Sequence, residues 1–261
     1  MENNEHKIIM LWDNPPYLEY SDNFRPFVRE YKVSKAKTAV IVIPGGGYGF
    51  RAIEGEGYEI AEMLNDDNIN AYILEYNIHP CHKFAPLSDV QRAIRLLRSM
   101  GYKKVAVMGF SAGGHLTCTA ATQYKFEAYP KTDDIDKYSA RPDAFIPCYA
   151  VVTFTEPYTH LDSRKNLLGN EWEDKKLIKM FSAEKNITKR TPPCFAWHVA
   201  TDELVPVANT LMLASALAKK NVYLETHIFP KGWHGMGIAK DFDDISTWTT
   251  NLKLFLHKLG F

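Results

Sequence analysis

Gly109-Phe110-Ser111-Ala112-Gly113 is the stretch that most restricts how this chain can fold. The apolar run Lys104-Val105-Ala106-Val107-Met108 before it reads as a buried strand, and Gly114-His115-Leu116-Thr117-Cys118-Thr119-Ala120-Ala121 after it reads as the start of a helix. A serine at a strand-to-helix turn, with glycine two positions away on each side, is the pattern of a nucleophile elbow. The turn strains the serine backbone, and small flanking residues relieve the clash. The hydroxyl is lifted clear of the sheet, where a substrate can reach it. The pattern implies a serine hydrolase.

Around this turn, candidate strands and helices alternate. Strands are expected at Ile8–Trp12, Phe27–Val33, Thr38–Ile43, Asn70–Tyr76, Lys104–Met108, Ala144–Tyr149, Cys194–Val199 and Val222–Phe229. The first two are expected to be antiparallel, and Pro147 to disturb the sixth. The β-branched run Thr38-Ala39-Val40-Ile41-Val42-Ile43 suits a strand buried on both faces. Helices are expected over 56–65, from Pro86 through Leu97, over 207–219 and over 245–257. Strands joined by single helices imply right-handed crossovers and an α/β fold: a mostly parallel central sheet of about eight strands with helices on both faces. The stretch 151–190 breaks the rhythm. It is polar and helical, with Trp172, Leu177, Ile178 and Phe181 as its apolar members, and reads as a cap-like insertion in a single domain spanning 1–261.

A serine hydroxyl needs a base to take its proton and a carboxylate to orient that base. Asp202 follows the strand ending at Val199, and His234 follows the strand ending at Phe229, within Lys231-Gly232-Trp233-His234-Gly235. Their order after Ser111 is the chain order of an elbow-type triad. The alternatives are weaker by position. His198 and His227 lie within strands, His115 is on the elbow helix where a packing or capping role is expected, and Glu203 is the rival acid. Asp241, Asp243 and Asp244 read as a structural cluster at a helix start. The second signal is Pro44-Gly45-Gly46-Gly47-Tyr48-Gly49-Phe50, directly after a strand. Glycines let backbone N–H groups approach an oxyanion, so Gly46 and Gly47, with the N–H of Ala112, are the candidate oxyanion donors. A phosphate-binding turn is the competing interpretation of these glycines; no acidic residue is convincingly placed for a ribose, although Glu75 is near. Tyr48, His160 and Trp233 are candidate substrate contacts.

With these residues in place, the chain resembles α/β-hydrolase carboxylesterases, most closely the acetyl-xylan esterase-like or sugar acetyl esterase-like branch. The matching stretches are 43–48, 86–94, 109–116, 201–207 and 229–235. The elbow and the Asp–His blocks are shared with many hydrolases, prolyl-oligopeptidase-type peptidases among them, whereas a glycine loop followed by tyrosine is more specific to the esterases. Lipase-type esterases carry His before the triple glycine, where this chain has Pro44. The resemblance implies hydrolysis of acetyl or other short-acyl esters, often on carbohydrates, with no metal or cofactor. A peptidase, an arylformamidase and a non-catalytic binding module on the same fold are the alternatives.

Composition narrows the partners. The 261 residues carry 31 basic and 31 acidic side chains, so no basic surplus points to nucleic acid or to an anionic membrane. The expected partner is a small-molecule ester, acetylated sugars included; a homodimer is compatible with the sequence. Cys81, Cys118, Cys148 and Cys194 form no CxxC pair and read as reduced thiols. The opening Met1–Lys7 is polar and acidic, without a charged-then-apolar leader, and a cytoplasmic location is the expectation.

Overall fold

Thr38–Ile43 (β3) shows how the sheet is built. Ala39, Ile41 and Ile43 enter one apolar cluster, while Val40 and Val42 enter another on the opposite face. A strand covered on both faces has no polar side to present, which is why its sequence is a continuous apolar run. In the computed structural model, which describes residues 6–261, β3 lies near the middle of an eight-stranded sheet of order β1-β2-β4-β3-β5-β6-β7-β8. The others are β1 (Ile8–Met10), β2 (Phe27–Tyr31), β4 (Asn70–Glu75), β5 (Lys104–Phe110), β6 (Ala144–Cys148), β7 (Cys194–Val199) and β8 (Leu224–Phe229). β1 and β2 pair antiparallel and β2 joins β4 antiparallel; every other pairing is parallel. The expected mixed sheet is therefore present, and its early antiparallel strands are β1 and β2.

Helices cover both faces, as expected. α2 (Ala85–Ser99), α3 (Ser111–Thr122) and α6 (Ala208–Lys219) pack on the face that holds Ile41 and Ile43. α1 (Glu59–Asn65) and α7 (Thr247–Lys258) pack on the other through Ile60, Leu64, Trp248 and Phe255. Pro147 does disturb β6. Pairing with β5 is unbroken, but the partners toward β7 are only Phe145 with Cys194 and Cys148 with Trp197. Proline has no N–H to give to the ladder. β8 ends the sheet and has no fully buried residue.

Beyond shifts of one or two residues at the ends of other strands and helices, three features differ from expectation. β5 runs on through Gly109 and Phe110, because Ile43, Pro147 and Cys148 continue to pair with it, so the helix starts at Ser111 with no spacer. The helix expected over 56–65 opens instead with a π-turn, Glu54–Tyr58, before α1 begins. Segment 151–190 holds two short helices, α4 (Leu161–Leu168) and α5 (Lys175–Met180), and is less detached than a polar cap. Its Phe154, Leu167, Leu168 and Phe181 are part of the apolar cluster over α3. Met1–Glu5, part of the polar opening, lie outside the described residues. No helix among the described residues is long and apolar enough to cross a membrane, and all four cysteines are free thiols.

Candidate active site

The elbow has the strain its sequence implies. Ser111 has φ +51°, a left-handed conformation that side-chain-bearing residues avoid. It is sustained by close packing around the two flanking glycines. A Cβ on Gly109 would lie 2.2 Å from the Gly113 carbonyl oxygen, and one on Gly113 would lie 2.1 Å from the Ile43 oxygen. Only glycine lets α3 approach β3 and β5 this closely.

Three loops at the carboxyl ends of parallel strands then converge. The Ser111 hydroxyl lies 2.7 Å from His234 Nε2, and His234 Nδ1 lies 2.7 Å from Asp202 Oδ2. The geometry orients the imidazole with its proton on Nδ1, donating to Asp202, and with Nε2 open to receive the serine proton. The two loops are tied directly: Thr201 Oγ1 donates to the Gly232 carbonyl at 2.8 Å and accepts the Gly232 N–H at 3.0 Å.

Asp202 is buried, yet every lone-pair direction it presents is used. Oδ1 accepts the N–H groups of Leu204 and Val205, and Oδ2 accepts His198 Nε2 as well as His234. Burial alone raises a carboxyl pKa; here the hydrogen bonds from His198, His234 and Val205 outweigh it and hold Asp202 well below the usual carboxylate range. His198, expected as a plain strand residue, is thus Asp202's supporting partner. Its Nε2 also donates to the Val205 carbonyl, and its Nδ1 accepts from Thr210, which fixes the tautomer.

The glycine loop after β3 faces the same point. Gly46 (φ +116°) and Gly47 (φ +62°) line a cavity of about 660 Å³ together with Ser111, His160, Asn166 and His234. The Gly46 carbonyl accepts from Gly49 and Phe50, while the N–H groups of Gly46 and Gly47 have no protein acceptor among the described residues. Ala112 contributes one of the four unpaired N–H groups at the start of α3.

The three candidate substrate contacts separate. His160 lines the cavity; its Nδ1 caps α4 by accepting the Ser163 N–H, which leaves the ring proton on Nε2, and burial lowers its pKa. Tyr48 does not line it. Flanked by glycines and itself at φ +60°, it turns its side chain into the core, fully buried, with its hydroxyl 2.7 Å from His115 Nδ1. Trp233 is 57% exposed, lies edge-on against Phe242 and is outside the cavity wall. Neither direction is readable locally, because it depends on which distant residues make the core.

His115 packs as expected, with Nε2 donating to the Phe181 carbonyl. Burial pulls its pKa down to about 4. A depressed histidine stabilises the fold fully above its unfolded value near 6.5, and that contribution is lost as pH falls through 6.5 toward 4, a loss of about 3 kcal/mol at most. Asp89 acts in the opposite sense: burial pushes its carboxyl up to about 8, so its contribution falls as pH rises. Urea denaturation of wild type and His115→Gln between pH 4 and 8 separates the two. The wild-type minus variant difference is expected to shrink on acidification, and a pH-independent difference contradicts the assignment.

Residues 28–217 match the BD-FAE family of proteins. The chain belongs to this family. The resemblance to the acetyl-xylan esterase-like branch holds for this BD-FAE member. It is 35% identical over 253 residues to the endo-1,4-beta-xylanase B of Butyrivibrio fibrisolvens, covering 92% of the chain and 39% of that protein. It is 29% identical over 230 residues to the acetylxylan esterase of Xylanibacter ruminicola, covering 82% and 45%. The chain thus spans less than half the length of these two relatives. Among solved structures it superposes on the acetyl ester-xyloside bifunctional hydrolase of Caldicellulosiruptor lactoaceticus with TM-score 0.90 and 36% identity, covering 98% of this chain and 97% of that one. An esterase from Thermogutta terrifontis, at 21% identity, TM-score 0.79 and coverage of 100% and 97%, shares the α/β-hydrolase fold.

In this BD-FAE chain, sequence reasoning passed over Glu56 and Tyr149. Glu56 lies in Glu54-Gly55-Glu56-Gly57, at the start of the helix expected over 56–65, and the π-turn there directs it inward. Among the described residues no three His, Cys, Asp or Glu side chains converge as a metal-binding group.

Proposed function

We propose that this chain is a serine carboxylesterase that removes short acyl groups, acetyl above all, from carbohydrate esters through an acyl-enzyme. The observation that carries the reading is the unbroken chain Ser111–His234–Asp202, at 2.7 Å and 2.7 Å, opening into one cavity beside a glycine loop with free N–H groups. His234 takes the Ser111 proton as the hydroxyl oxygen attacks the ester carbonyl. Asp202 holds the imidazole and stabilises its cation. The N–H groups of Gly46, Gly47 and Ala112 receive the oxyanion. His234 then protonates the departing alcohol, and water, deprotonated in turn by His234, releases the acid and frees Ser111. The unit is one α/β-hydrolase domain, with 151–190 as an insertion that supplies a cavity wall.

The relatives' names, acetylxylan esterase and acetyl ester-xyloside hydrolase, favour acetylated xylo-oligosaccharides as substrates. His160 offers a neutral N–H donor into the cavity, suited to a sugar oxygen. The test is a panel of p-nitrophenyl acetate, acetylated xylo-oligosaccharides, an arylformamide and an aminoacyl amide. Both esters are expected to be cleaved, and faster turnover of the amide or the arylformamide overturns the assignment. His160→Ala is expected to lower kcat/KM for the acetylated oligosaccharide by about 5- to 10-fold, the size of one hydrogen bond, and to leave p-nitrophenyl acetate within about 2-fold. Equal losses on both substrates contradict a sugar contact.

A further inference from the structure

Glu56 is a carboxylate at the floor of the cavity, 6% exposed. A buried charge is costly unless it is compensated, and here the partners are a backbone N–H and a phenol rather than a cation. Gly45 N–H donates to Oε2 at 2.7 Å, and the Tyr149 hydroxyl donates to Oε1 at 2.7 Å. The direction of the second bond is set by a third. The Tyr149 oxygen accepts the Gly237 N–H at 3.1 Å, so its own proton is left for Glu56. Both carboxylate oxygens are acceptors in these bonds.

These bonds form a strap beneath the nucleophile. Gly45 precedes the two glycines with free N–H groups, and Gly237 lies three residues beyond His234. A Cβ on Gly45 would lie 2.7 Å from Glu56 Oε2 and 3.0 Å from Ser111 Cβ, so carboxylate, loop and serine are in contact. Tyr149 also sets its ring edge-on to His234, centroids 5.1 Å apart, from a strained backbone at φ +34°. The π-turn over Glu54–Tyr58 directs Glu56 inward at this point, a distortion often found at functional sites.

We propose that Glu56 is a positioning residue that holds the glycine loop and the His234 loop in one register, and that its charge favours the His234 cation formed when Ser111 attacks. The proposal rests on the serine-esterase reading. Burial raises the Glu56 carboxyl pKa, against the bonds from Tyr149 and Gly45 and the pull of a charged His234. Tyr76 and Cys148 are the other titratable groups near it. Around His234 stand Asp202, Ser111, Tyr149 and His160, with Arg51, Glu54 and Asp162 on the cavity wall. All of these are retained when Glu56 alone is changed.

Glu56→Gln, Tyr149→Phe and the double variant of the full chain are assayed with p-nitrophenyl acetate, normalised to sites titrated by a fluorophosphonate. In Glu56→Gln, kcat per titrated site is expected to fall about 10- to 100-fold with KM within about 3-fold. The acid limb of its kcat/KM profile is expected to move down by about half a unit or more, because a negative charge beside the imidazolium is gone. Tyr149→Phe removes a donor that favours the ionised Glu56 and is expected to lose kcat and to move the acid limb in the same direction but by less than Glu56→Gln, and the double variant to lose no more than about 3-fold beyond the worse single one. A purely structural role lowers the number of titrated sites and shifts no limb. An unshifted acid limb in Glu56→Gln, or kcat per site within 2-fold of wild type, overturns the proposal; if Glu56→Gln does not fold, kcat within 2-fold in Tyr149→Phe does so. The esterase reading fails separately, if wild-type protein neither cleaves the ester nor takes up the fluorophosphonate.

Discussion

Ser111→Ala is expected to lower ester turnover by about 10⁴-fold or more while leaving the fold intact. The substitution removes one oxygen, and nothing in the packing of the elbow depends on it. Gly109, Gly113 and Gly114 set the close approach of α3, and Ala is no larger than Ser. The variant retains the glycine loop and the cavity, so a residual rate above the uncatalysed reaction is expected. His234→Ala is expected to fall as far as Ser111→Ala, and the two together no further, because the imidazole and the hydroxyl act as one unit. Initial rates with p-nitrophenyl acetate, together with circular dichroism to verify folding, make the measurement. Near-wild-type turnover in a folded Ser111→Ala protein removes the basis of the proposed mechanism.

The second large effect is on stability. Gly113→Ala adds a methyl group that would sit 2.1 Å from the Ile43 oxygen and 2.5 Å from the Pro44 oxygen. Both are backbone atoms at the end of the central strand, so no side chain can turn aside. Relief requires α3 to move off β3, and the elbow and the start of the glycine loop move with it. Overpacking of this kind costs about 3 kcal/mol or more, a large part of the 5–15 kcal/mol typical of a folded domain. The unfolding midpoint is expected to drop by roughly 6–12 °C, with activity lost even in the protein that folds. Gly55→Ala is the control: no atom lies within 4 Å of the added methyl, and the midpoint is expected to stay within about 2 °C. Equal midpoints for the two variants would show that the close approach at Gly113 carries no strain.

Much of this architecture is legible in the chain. β3 can be recognised because a doubly covered strand needs apolar residues at every position. The elbow can be recognised because few other arrangements require glycine at both 109 and 113 around a serine. Asp202 and His234 can be ranked above other acids and imidazoles because each follows a parallel strand. The end of β5 at Phe110 and the π-turn before α1 are not legible in this way, because they depend on pairing with Cys148 and on packing around Glu56. Neither is visible within a few residues.

What the sequence by itself determined is therefore the order of elements, the strained turn and the residue types of the triad. These follow from side-chain periodicity and backbone sterics, which act over a few neighbours. Only the tertiary structure decided which way the side chains point. It turned Tyr48 inward to meet His115, left Trp233 outside the cavity, put His198 behind Asp202 and drew Glu56 beneath the nucleophile. Tyr48 and Glu56 are set by partners tens of residues away, and His198 and Trp233 by loops and helices that fold back on them from nearer in the chain; in each case the outcome depends on packing and on whether a buried polar group finds a donor or acceptor there.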